Sequence, residues 1–134
     1  MTRTRASAKA AGARFQRSIA SWLQANLSEW VEVAPKWGSK DRGDIVNVRT
    51  ASGARVAVEC KDYAGAFHVS EWLREAEDER VNDGARAGVV VAKRRGTADP
   101  AQQVVFMTLQ DFAAILTGED LRVASTGDNS HMQH

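Results

Sequence analysis

The chain has 134 residues, 43% of them hydrophobic and 26% charged, with 18 Lys and Arg against 17 Asp and Glu and a formal net charge of +1. That length suits one domain burying about two-thirds of its unfolded surface, and no stretch is apolar for long enough to span a membrane. The single cysteine, Cys60, excludes an internal disulfide framework and fits a reducing cytoplasm.

The charge is segregated along the chain. Arg3, Arg5, Lys9, Arg14 and Arg17 occur before residue 20 without an acid, and Lys93, Arg94 and Arg95 form a second basic cluster. Residues 71–83 are acidic instead. One face should accept phosphate while another repels it. The basic, acid-free start has the composition of a transit peptide, but it also supplies the first helix that the fold needs.

Residues 7–27 carry Ala8, Ala11, Phe15, Ile19, Trp22 and Leu23 at helical spacing, so an amphipathic helix is predicted there. Residues 30–34 read as a strand, and 35–42 as a loop containing Trp37, Ser39, Lys40 and Arg42. Residues 43–61 read as a hairpin: Asp44 to Val48, a turn at Ala51-Ser52-Gly53, then a return strand from Val56 to Lys61. A loop over 62–68 leads to a helix over 69–82 with a short stripe of Trp72, Leu73 and Ala76, ended at Gly84. The runs 88–92 and 104–107 are continuously apolar and predict buried strands. Thr108 is placed to cap a last helix that turns Leu109, Phe112, Ala113 and Leu116 inward and stops at Gly118. The domain is predicted over 1–118, with 119–134 a polar, disordered tail. Trp22, Trp30 and Trp72 are expected in the core, and the acidic face of the 69–82 helix in solvent.

The chemistry concentrates in the hairpin. Glu59 and Lys61 are two residues apart, so both leave one strand face while Cys60 points the other way. A turn near Ser52 sets Asp44 opposite residues 59–61. Two carboxylates and an ammonium converge at one end, which makes a hard-cation site with a cation beside it. Glu-x-Lys alone is also the pattern of a cross-strand ion pair on a solvated face. Asp44 following a glycine at the head of an apolar run favours the site.

In these residues the chain resembles the PD-(D/E)xK nuclease superfamily, and its hairpin resembles that of archaeal-type and phage Holliday junction resolvases. Asp44, Glu59 and Lys61 match the motif, and Gly43 stands where the family has proline. The resemblance covers about residues 7–116 and implies an α/β fold, a restriction-endonuclease-like αβββαβ core whose mixed sheet is flanked by helices. It further implies Mg²⁺, with Mn²⁺ able to substitute, held by Asp44, Glu59 and the backbone carbonyl of Cys60, while Lys61 orients water and stabilises phosphate charge. The family often adds an acid from the first helix. Gln16 is the nearest match here, and Glu32 on the neighbouring strand is a substitute. Ser39 matches a loop serine.

Arg14, Arg17, Ser39, Lys40, Arg42, Lys93, Arg94 and Arg95 are the expected DNA contacts. The resemblance implies a structure-selective DNA endonuclease acting on branched or four-way junctions as a homodimer, in the cytoplasm or, if phage-encoded, the host cytoplasm. The dimer surface is expected on the 88–92 or 104–107 strands or the Trp72 stripe. The alternatives are another nuclease of this fold, for repair, restriction or single-strand processing, and a catalytically silent DNA-binding module.

Overall fold

The computed structural model describes residues 3–36, 38 and 40–122; Trp37, Ser39 and the terminal histidines His131 and His134 lie outside them. Thr4 opens the first helix by accepting a hydrogen bond from the Ser7 N–H at 3.0 Å, and the alanine-rich run behind it propagates α1 over Arg5–Asn26. There follow β1 (Glu32–Val33), β2 (Ile45–Val46), β3 (Val56–Lys61), α2 (Val69–Asp83), β4 (Ala87–Ala92), a 3₁₀ turn (Pro100–Gln102), β5 (Val104–Phe106) and α3 (Leu109–Thr117).

The strands form one mixed sheet in the order β1-β2-β3-β4-β5. Only β3 and β4 run parallel, because α2 is the crossover between them; the other neighbours are antiparallel. Alternation along the strands divides the core. Val56, Val58, Cys60, Val89 and Val91 pack against Phe15 and Ile19 of α1, with Ile115 of α3 against the same cluster. Val90 and Ala92 face the other way, onto Trp72 and Ala76 of α2. The fold is thus the predicted α/β architecture, with an αβββαβ-type core whose sheet is flanked by helices. No helix among the described residues is long and apolar enough to cross a membrane.

Several expectations are corrected. The first hairpin strand is shorter than Asp44–Val48, because Asn47 adopts a left-handed φ of 68° and breaks it. Ile45 faces Val58 whereas Arg49 faces Arg55, so the first strand carries one extra residue, a bulge. Trp30 is 72% exposed and Trp22 is exposed too, while Trp72 is interior as expected. The alternation that buries Val31 turns Trp30 outward, and two-residue strands at this edge leave little sheet to cover Trp22.

The last helix is rotated from its predicted setting: Leu109 is 80% exposed, with Phe112 and Leu116 also outside, and Asp111 and Ala114 inside. Asp111 sets that rotation, since its buried carboxylate accepts the Gly88 N–H at 2.9 Å and an Arg122 N–H at 2.5 Å. A buried charge-assisted pair of bonds outweighs one apolar face. The 104–107 run is an edge strand with Val105 exposed, not one buried on both faces. Of the surfaces expected for a dimer, the 88–92 strand and Trp72 are interior, which leaves the β5 edge.

Candidate functional site

The hairpin register puts Asp44 beside Glu59, for Ile45 pairs with Val58 and the Asp44 N–H donates to the Val58 carbonyl at 2.7 Å. Asp44 is steered further along β3: one carboxylate oxygen accepts the Cys60 N–H at 2.8 Å. Gly43 makes this approach possible. Its φ is +107°, and a Cβ there would lie 2.9 Å from the Val58 carbonyl oxygen. Its N–H donates to the Asp41 carboxylate at 2.9 Å. Proline has neither that φ nor an N–H, so it could not take this place.

Glu59 and Lys61 leave β3 on the face covered by α2. Two residues of strand advance about 6.6 Å and four residues of helix about 6 Å, so the two elements meet rung by rung. Lys61 Nζ donates to Glu75 Oε1 at 2.9 Å. One helical turn on, Glu59 meets Glu79, and Asp41 closes over both. One carboxylate oxygen from each of Asp41, Glu59 and Glu79 lies within 4.8 Å of the other two. Asp41 is held there because Asn82, the next residue on this face of α2, donates its side-chain amide to the Asp41 carbonyl at 2.8 Å. The expectation of a solvated acidic helix face is corrected at Glu79, which is 3% exposed, while Glu71 and Asp78 of the same helix are in solvent.

Burial, and after it the neighbouring Asp41 and Asp44 carboxylates, push the Glu79 pKa up to about 8. Asp44 is also raised by burial, opposed by its bond to the Cys60 N–H and by the Lys61 charge. The Cys60 thiol is buried on the α1 side and its pKa is raised, so it is not a reactive thiolate. Glu79 Oε2 is the single buried side-chain oxygen or nitrogen without a hydrogen-bond partner among the described residues. A glutamate with an orphaned oxygen, gathered with two further carboxylates, matches the all-oxygen donor set of Mg²⁺, Mn²⁺ or Ca²⁺. The Asp41–Glu59–Glu79 cluster could therefore hold a metal ion.

An open groove of ≈ 690 Å³ between Asp41, Asp44 and α1 is lined among others by Lys9, Gly12, Gln16 and Lys36. Gln16 thus reaches the groove of Asp44, while Glu32 lines a different depression with Arg42 and Asp83. Arg14, Arg17, Lys40 and Arg42 are exposed. The 93–95 loop follows the β4 end beside Lys61, the Lys93 N–H donating to the Lys61 carbonyl at 2.9 Å. Arg94 and Arg95 are exposed there, whereas Lys93 turns its ammonium onto the Arg94 and Thr97 carbonyls of its own loop, at 2.8 and 2.6 Å.

Asp41, Glu75 and Glu79 are the site residues that the hairpin pattern does not reveal. One signal for Glu79 is present: it stands seven residues after Trp72 and three after Ala76, on the apolar stripe of α2, where a carboxylate is out of place. Compared with known proteins, the chain matches no family model, no curated protein and no solved structure.

Proposed function

We propose that the protein is a divalent-metal-dependent DNA endonuclease of the PD-(D/E)xK type, acting on branched or four-way junctions. The observation that carries this reading is the convergence of Asp44, Glu59 and Lys61 at one end of β3, with Asp44 tied to the Cys60 N–H between the other two. Mg²⁺, or Mn²⁺ in its place, would be held by the carboxylates of Asp44 and Glu59 and the Cys60 carbonyl; when bound it activates water and neutralises charge on the phosphodiester.

The remaining work falls to the chain. Lys61, steadied by Glu75, donates to the attacking water or to a non-bridging phosphate oxygen. Gln16 is a neutral hydrogen-bonding group on the α1 side of the groove. Lys9 and Lys36 along the groove, with Arg14, Arg17, Lys40, Arg42, Arg94 and Arg95 outside it, hold the backbone phosphates without reading bases. Two symmetric cuts in a junction need two such sites, hence two chains, and the exposed Val105 edge is the surface for that contact.

A DNA-binding module without catalysis is the second reading. The Lys61–Glu75 ion pair favours it, since Glu75 offsets part of the positive charge that would stabilise the reacting phosphate. Cleavage of four-way, nicked and linear DNA with Mg²⁺ separates the two. Cutting should favour the junction and vanish in Asp44→Asn and Lys61→Ala, with DNA affinity retained. Near wild-type cutting by either variant removes the site assignment, and no cutting by the wild type leaves the binding module.

A further inference from the structure

We propose that Glu79 of α2, with Glu59 and Asp41, forms a divalent-cation site beside Asp44, so that the carboxylate absent from α1 is supplied from the opposite side of the sheet. Use of that cation in phosphodiester cleavage rests on the reading above; its binding does not.

The spacing of the three side chains suits a single ion. Opposed oxygen ligands of Mg²⁺ or Ca²⁺ are two ligand distances apart, roughly 4.2–4.8 Å. The three carboxylate oxygens lie within 4.8 Å of one another, inside the reach of one ion. Two of the three side chains are buried, and buried carboxylates this close repel unless a cation or a proton is held among them. The nearby α2-side cations are engaged elsewhere: Lys61 with Glu75 at 2.9 Å, and Arg80 with Glu77 at 2.8 Å.

The orphaned Glu79 Oε2 is independent of that proximity. A purely structural glutamate on the inner face of a helix would be expected to spend both oxygens on donors, as Asp111 does on the Gly88 N–H and Arg122. Glu79 leaves one oxygen without a donor. Asp41, the exposed third member, supplies access from solvent, and the Asn82 bond to its carbonyl holds it over the buried pair. Two buried ligands on rigid elements and one on a loop make a site that a hydrated ion can enter, with coordination positions left for water or a phosphate oxygen.

The test is Mn²⁺ binding by the full chain without DNA, followed by calorimetry and by the electron paramagnetic resonance of the free ion. The wild type should bind. Glu79→Gln and Asp41→Asn should each weaken binding by about tenfold or more, and both should lose the Mn²⁺-induced rise in melting temperature. Asp78→Asn, an identical charge change on the exposed side of α2, should alter neither. Melting in EDTA checks that each variant is folded. No binding by the wild type at millimolar Mn²⁺, or affinity within about twofold of wild type in Glu79→Gln, overturns the site. Binding that depends on Glu79 in a protein that cuts no DNA upholds the cation site and overturns the nuclease reading alone.

Discussion

Replacing Glu79 by glutamine should change how the stability of the fold depends on pH, with or without any metal. The Glu79 pKa rises from an ordinary 4.5 to about 8 in the folded chain, through burial first and then through Asp41 and Asp44. The folded state therefore binds this proton more tightly than the unfolded state. Stability then falls as pH rises from about 4.5 to about 8, and is level with respect to this group on either side. At about 1.36 kcal/mol per unit, that shift sets a ceiling of roughly 5 kcal/mol. Entry of water and movement of Asp41 should bring the observed value to about 2–3 kcal/mol. Glu77, held below its usual range by Arg80, has its effect in more acid solution, where its stabilisation is lost as pH falls through its lowered pKa. Urea unfolding at pH 5, 7 and 9 in EDTA, followed by tryptophan fluorescence, measures the slope. Glu79→Gln should gain on the wild type from pH 5 to about pH 8 and hold that gain at pH 9. Curves for the two proteins that stay parallel within about 0.5 kcal/mol would rule out a raised Glu79 pKa, because an isosteric amide abolishes the titration and little else.

Two further predictions concern the core and the surface. Trp72 is almost fully buried, with Tyr63, Phe67 and Phe106 ring centroids 5.2, 6.4 and 6.4 Å away; Trp72→Ala should cost about 3–5 kcal/mol in urea unfolding, whereas the exposed Trp30→Ala should cost under about 1 kcal/mol. On DNA, the affinity of the wild type should fall steeply with salt, and joint replacement of Arg14, Arg17, Arg94 and Arg95 by alanine should lower the log–log slope by about 0.9 for each phosphate no longer neutralised. An unchanged slope in filter binding would move the DNA face elsewhere. Lys93 is left out of that set because its ammonium holds two carbonyls of its own loop.

Local features of the molecule were legible in the amino-acid sequence. Periodicity marked both long helices and the buried β4 strand, and Gly84 and Gly118 ended helices where expected. The two-residue period of β3 put Glu59 and Lys61 on one face and Cys60 on the other, and the position of the turn put Asp44 beside Glu59. Each of these follows from backbone geometry within a few residues or across one hairpin. Which side chains from remote segments share a space was settled only when the elements packed together. Glu75 and Glu79 read as a solvated acidic face until α2 is laid on β3, when the near-equal rise of two strand residues and four helix residues brings one to Lys61 and the other to Glu59. Asp41 joins them through Asn82, 41 residues along the chain. The rotation of α3 was likewise hidden, for it depends on two remote donors, the Gly88 N–H and Arg122, that meet at the Asp111 carboxylate. Helical periodicity identifies the apolar stripe of a helix but not the partner that covers it, and a buried carboxylate takes its chemistry from that partner.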